Sequence, residues 1–261
     1  MVAVAHPLWL FLPSDSSITP VRRNQVLDEA KETRENEWYV PKRGPLRLRR
    51  FVGLTFYPYS LMNASYVLIG SLLAATVHYD RMAGMCLVYL LAVGVAAHSL
   101  DAMGSNKPWG EFLTHNQLLV LALAGLAPAL AIGLFYSLTS AFVILPLGAL
   151  ELFFLLSYNL EWFRGALHTD FWFATSWGFL PVLVGYAVQT NGVSLVSLAG
   201  GLFGFFTAFV EINASRPYKA LKQNPNEASS QMAARFESIL KGVVASVLAA
   251  ALFLLALSIL R

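Results

Sequence analysis

The chain has 261 residues, of which 57% are hydrophobic and 13% charged, with a mean hydropathy of +0.58. That make-up excludes a water-soluble globule of ordinary composition and predicts an integral, multi-pass membrane protein. The net charge of +3 is small, and there is no glycine-rich phosphate loop, no zinc-type cysteine pair and no basic-aromatic pattern suited to nucleic acid.

Residues 1–50 read as a cytoplasmic N-terminal segment and residues 51–261 as a transmembrane helical domain. Val2 to Leu12 form a short apolar patch without the basic start, full-length apolar core and small-residue cleavage site of a cleaved signal peptide. Residues 21–38 carry charges of both signs, as an amphipathic surface helix would. Lys42, Arg43, Arg47, Arg49 and Arg50 then make a basic collar. Such a collar attracts anionic lipid by about 1 kcal/mol per basic residue near the surface.

Seven segments follow, each meeting the roughly 20 apolar residues that a crossing requires. They run over 51–77, 82–100, 117–136, 138–158, 170–189, 193–213 and 239–260. Their hydrophobicity is continuous rather than alternating, so the fold class is an all-α, polytopic transmembrane bundle and not a barrel. Cys86 lies alone inside an apolar run and reads as a small buried residue.

Positive charge sets the expected orientation. Nine basic residues precede the first segment, and Lys107, Arg164, Arg216, Lys219, Lys222, Arg235 and Lys241 fall on alternate connections, against Arg81 and Arg261 on the other side. The N-terminus and the connections after segments two, four and six are therefore expected in the cytoplasm.

Those connections hold the unusual polar residues. His98-Ser-Leu-Asp101 ends segment two and leads into Asn106-Lys107-Pro108-Trp109, while Glu211-Ile-Asn213-Ala-Ser215-Arg216-Pro217-Tyr218-Lys219 ends segment six. In both, an acid is followed by a base, a proline and an aromatic. Acids at the ends of membrane helices are costly to keep and point to a site, although a solvated helix end accounts for Asp101 and Lys107 as well. His98 and Asp101, at i and i+3, suit either one metal ion held from a single helical face or a plain hydrogen bond. The connection from Tyr158 to Asp170 adds Glu161, Arg164 and His168, which share a face if the stretch is helical. His168 and Asp170 converge only if the chain there is irregular. Tyr59, Asn63 and Tyr66 form a polar stripe in the first segment, for lining a chamber or for interhelical hydrogen bonds. Glu151 is the deepest acid in the sequence.

Taken in order, these features resemble the UbiA superfamily of intramembrane prenyltransferases. The likeness rests on Tyr57-Pro58, the acid before Asn106-Lys107-Pro108-Trp109, Thr114-His-Asn-Gln117, the tyrosine-led connection after segment four, and Trp177-Gly178-Phe179-Leu180-Pro181, and covers about residues 51–220. It implies transfer of a prenyl group from a prenyl diphosphate to an aromatic or lipid acceptor. The superfamily's two aspartate-rich motifs are reduced here to His98 with Asp101, and to Glu211, and its members usually have more helices than these seven. On that resemblance Asp101 and Glu211 are catalytic, and with His98 they hold Mg²⁺, a cofactor that fewer carboxylates bind less firmly. Lys107, Arg216 and Lys219 offset diphosphate charge, while Asn63, Asn106, Tyr158, Glu161, Arg164, His168, Asp170 and Asn213 shape the substrate chamber. Two other functions fit the sequence: a non-catalytic membrane scaffold or lipid-binding subunit, and a metal-dependent lipid-modifying enzyme using His98, Asp101, Glu161, His168 and Asp170. Membrane lipids and a prenyl diphosphate are the expected partners; the acceptor and the oligomeric state are not legible.

Overall fold

The computed structural model describes residues 37–103, 113–223 and 226–260. Their regular structure is helical throughout. A short α1 (Leu46–Leu54) precedes α2 (Tyr57–Leu72), α3 (Tyr79–Ala102), α4 (His115–Thr139), α5 (Ile144–Asn159), α6 (Asp170–Thr190), α7 (Leu195–Gln223) and α8 (Glu227–Ile259). In five of them, α3, α4, α6, α7 and α8, the apolar stretch is long enough to cross a membrane. With no water in lipid to meet backbone N–H and C=O groups, helices that satisfy their own are what such a composition builds.

Element boundaries depart from the sequence reading in several places: α5 starts only at Ile144 and has 16 residues where 138–158 is expected, and α7 runs on to Gln223. The span expected over 51–77 is broken: α1 ends at Leu54, Phe56 takes a left-handed φ of 44°, and α2 starts at Tyr57 with Pro58 in its first turn. Proline fits a first helical turn because the N–H it lacks would be unpaired there anyway. At the other end α8 begins at Glu227, well before residue 239, on a capping box in which Asn226 and Ser229 exchange side-chain and backbone hydrogen bonds.

Successive long helices run in opposite directions. One end of the bundle is fastened by the side-chain amide of Gln189, which accepts from His78 N at 2.7 Å and donates to His78 O at 3.2 Å. At the same end Asn191 accepts from Val143 N at 3.1 Å, and Tyr79 meets Ser258 at 2.9 Å. The other end therefore gathers the starts of α2, α4, α6 and α8 with the finishes of α3, α5 and α7, and it carries the described basic residues apart from Arg81.

Glycine sets how closely the central helices approach. A Cβ on Gly70 would collide with the Val182 carbonyl and one on Gly185 with the Val67 carbonyl, so α2 and α6 touch backbone to backbone. Gly178 and Gly204 do the same for α6 and α7. Small residues permit this because association in lipid depends on van der Waals contact rather than on water exclusion.

The described part of the N-terminal segment is a strap laid on the basic end. Glu37, Tyr39 and Val40 are buried. Tyr218 of α7 donates to Glu37 Oε2 at 2.5 Å, Lys222 reaches the same oxygen at 3.2 Å, and Lys42 donates to the Glu37 carbonyl at 3.0 Å. Burial, reinforced by the Lys222 and Arg49 charges, lowers the pKa of Lys42. Trp38 packs on Tyr59 and lies under the Lys241 ammonium at 5.5 Å. Residues 37–50 are thus not a free segment beside the bundle but part of its basic end.

Candidate functional site

A cavity of about 760 Å³ opens at the basic end and runs down between α2, α3, α4, α5 and α6. That is within the size range of small-molecule sites. Its walls are mostly apolar and its polar groups cluster at the mouth.

The mouth residues come from the end of α3, the C-terminal half of α7 and the α5–α6 connection. His98 and Asp101 lie on the last turns of α3, just beyond a π-helical stretch over Leu90–Ala97. Glu211 and Lys219 lie two turns apart on α7. Asp101, Glu211, His98 and Lys219 all line the one cavity, so two acids 110 positions apart in the sequence share a pocket. Alternate helix ends meeting on one side bring them together.

Asn63 stands in the wall beside them, 1% exposed. Its Nδ2 donates to the Trp177 carbonyl at 2.7 Å. Pro181, four residues after Trp177, has no N–H to give that carbonyl, so the helix offers it to a side chain instead. Trp177 belongs to a second π-helical turn, Thr175–Phe179, and π turns of this kind are frequent at functional sites.

Several buried polar atoms around the mouth have no hydrogen-bond partner among the described residues: Asn63 Oδ1, His98 Nε2, Trp177 Nε1 and Glu211 Oε2. All four residues line the cavity. Buried polar groups are nearly always satisfied, so a group of orphans around one space marks where a ligand, an ion or ordered water belongs. Aromatic faces surround them, with Phe56 at 4.8 Å and Trp177 at 6.0 Å from the His98 ring, and Tyr59 in the same wall.

The connection from α5 to α6 supplies one side of the mouth. Glu161, Phe163 and Arg164 all adopt left-handed backbone angles, so the helical face expected for Glu161, Arg164 and His168 does not form. Glu161 and Arg164 point outward and are exposed. The irregular chain carries His168 back onto Tyr158, stacked at 4.1 Å, and both line the cavity. Asp170 stands in the first turn of α6, where Thr169 caps Trp172 N at 3.3 Å. Arg216 Nε lies 2.9 Å from Asp170 Oδ1, an ion pair too bent to count as a hydrogen bond, and Nη2 donates to the His168 carbonyl at 3.2 Å. Arg216 also lines the cavity; Asp170 and Asn213 do not, and Asn213 Nδ2 donates within its own helix to Phe209 O at 2.8 Å. Asn106 and Lys107 lie outside the described residues.

Of the polar stripe on α2, Tyr59 and Asn63 face the cavity, whereas Tyr66 donates to or accepts from Thr207 Oγ1 at 2.8 Å on α7. Glu37, Tyr39, Trp177 and Tyr218 join the mouth without having been singled out as site residues from the sequence. Trp177 was within reach, because Pro181 announces a free carbonyl four residues before it. Among the described residues no three His, Cys, Asp or Glu side chains converge as a metal cluster. The five residues considered for a transition metal are dispersed, with Glu161 exposed and Asp170 turned to Arg216. What remains for a metal is a set of hard oxygen donors, Asp101, Glu211 and Asn63 Oδ1, of the type Mg²⁺ takes from one or two carboxylates when a substrate phosphate completes its shell.

The α4 and α5 walls of the cavity are apolar and roomy. Leu130, Leu134 and Leu145 line it and are exposed. Gly133 and Gly148 line it too, and an added Cβ at either would meet nothing within 4 Å. The fold and site together define a helical membrane protein with a largely apolar chamber whose charged groups gather toward one end. No protein-family model, no curated protein and no solved structure matches the chain.

Proposed function

We propose that the protein is an intramembrane prenyltransferase of the UbiA kind, which transfers a prenyl group from a prenyl diphosphate to an aromatic or lipid acceptor. The observation that carries the reading is the sharing of one largely apolar cavity by Asp101 and Glu211 beside the Lys219 and Arg216 cations. The diphosphate lies at the mouth, where Lys219 and Arg216 offset its charge and Asp101, Glu211 and Asn63 Oδ1 are the groups that would hold Mg²⁺. Bound there, the ion would supply electrostatic relief to the leaving diphosphate. The prenyl chain extends into the apolar part of the chamber. As its allylic carbon–oxygen bond breaks, the electron pair leaves with the diphosphate, and the electron-poor carbon sits among Phe56, Tyr59 and Trp177, whose ring faces favour positive charge and keep water away. The acceptor then forms the new bond to that carbon. By the distribution of basic residues, the mouth and the N-terminus face the cytoplasm.

Purified protein tests this directly. Mg²⁺-dependent binding of geranylgeranyl diphosphate is expected, with loss in Asp101→Ala and Glu211→Ala while both variants keep their helical circular dichroism and elution volume. One observation favours a second reading, a non-catalytic lipid-binding subunit: the mouth has fewer converging acids than two metal ions would require. Absence of diphosphate binding would leave that reading standing, and stoichiometric iron or zinc would instead favour a metal-dependent lipid-modifying enzyme.

A further inference from the structure

We infer that the middle of the cavity holds a second polar site, made by Glu151 and Tyr89, for a hydroxyl group carried part way along the chain of an anionic, membrane-borne amphiphile. The Tyr89 hydroxyl on α3 donates to Glu151 Oε1 on α5 at 2.8 Å, and both residues line the cavity. The other carboxyl oxygen of Glu151 has no hydrogen-bond partner among the described residues. Their neighbours in the wall are apolar, among them Met85, Val88, Ile144 and Leu152. The acidic and basic residues that otherwise line the chamber belong to its mouth. An acid kept at this depth is a functional-site candidate by default, because an apolar side chain would fill the same space at less cost.

The chemistry of the pair selects its ligand. Glu151 Oε2 accepts when ionised and donates when protonated, and the Tyr89 oxygen retains a lone pair. A hydroxyl, which both donates and accepts, satisfies either state, whereas a plain hydrocarbon chain satisfies neither. The distance fixes where that hydroxyl sits. Glu151 and Tyr158 lie seven residues apart on α5, roughly 10 Å along the helix. An extended chain covers that length in about eight to ten carbons. Gly133 and Gly148 line the cavity on α4 and α5, and the free space at their Cβ positions leaves room for such a chain beside the pair.

The inference rests on the mouth being an anion site, and the test separates the two. Oleate and ricinoleate, which differ by one mid-chain hydroxyl, are titrated against the detergent-solubilised protein in competition with a fluorescent fatty acid, with geranylgeranyl diphosphate titrated alongside. Ricinoleate is expected to bind roughly tenfold tighter than oleate, the worth of one to two hydrogen bonds. That preference should vanish in Tyr89→Phe and in Glu151→Leu while oleate affinity is retained. Equal affinities in the unsubstituted protein, or a preference that survives both substitutions, would overturn the inference and reduce the pair to a bond between helices. Binding of the diphosphate without binding of either fatty acid would overturn it and spare the reading of the mouth; binding of none of the three would overturn both.

Discussion

The side-chain amide of Asn63 donates to the carbonyl of Trp177 at 2.7 Å, and Pro181 has no N–H to give that carbonyl the i+4 bond of an α-helix. A helix break in α6 is thereby converted into a tether to α2 at the wall of the cavity. Asn63→Ala strands a buried carbonyl, at a cost of about 1 to 3 kcal/mol. Pro181→Ala restores the missing donor, so Asn63→Ala is expected to cost less in that background than in the unsubstituted chain. Thermal or denaturant unfolding in detergent measures the cycle, and strictly additive effects would show that the two residues are not linked in this way.

Glycines that look alike in the sequence should respond differently. Gly185→Ala places a methyl group against the Val67 carbonyl. The resulting separation of α2 and α6 is expected to destabilise the bundle by about 1 to 3 kcal/mol. Gly133→Leu and Gly148→Leu put a side chain into open space. The fold is expected to stay within about 0.5 kcal/mol, while the added side chains take up cavity space and weaken binding of a lipid-like ligand. Equilibrium binding of a fluorescent fatty acid reads that difference, and unchanged affinity in both leucine variants would show that ligands do not use this part of the cavity.

The strap makes a third prediction. The Tyr218 hydroxyl donates its one proton to Glu37 at 2.5 Å and lies 3.1 Å from Glu237, with Lys222 and Lys241 completing the network. Tyr218→Phe leaves the buried Glu37 carboxylate without its shortest bond, a loss of about 1.5 to 3 kcal/mol for a hydrogen bond to a charged group. That loss is expected as local release of the strap rather than as global unfolding. Tryptic cleavage at Lys42 or Arg43 should accelerate several-fold at unchanged midpoint; equal cleavage rates would mean that the aromatic contacts of Trp38 and Tyr39 hold the strap without the network.

These particulars show what the sequence carries and what it does not. Continuous apolar stretches mark the long helices because lipid leaves the backbone no other arrangement, and alternation of loops puts Asp101 and Glu211 on one side. That they line one cavity follows once the helices close around it. The break at Phe56 escapes the reading because a left-handed non-glycine residue leaves no local mark, and the early start of α8 because a polar, charged turn is as helical as an apolar one once capped. The Glu161–His168 stretch escapes it for another reason: three non-glycine residues turn left-handed there, and only Gly165 hints at it. Glu37 is hidden among charges, since nothing local distinguishes the one acid that α7 buries.

The last prediction concerns charge at the mouth. Lys219 lies on the mouth side of Glu211, with its ammonium 5.8 Å from the Phe56 ring, and it lines the cavity together with Arg216. Lys219→Ala is therefore expected to weaken diphosphate binding by roughly tenfold to a hundredfold for one lost charged contact. Lys219→Arg should restore most of it, and raising salt should narrow the gap between the unsubstituted protein and Lys219→Ala, because screening weakens the charge that the substitution removes. Isothermal titration with geranylgeranyl diphosphate at two salt concentrations measures all three. A Lys219→Ala variant that binds as the unsubstituted protein does would place the anion elsewhere in the chamber and withdraw the charge argument for the mouth.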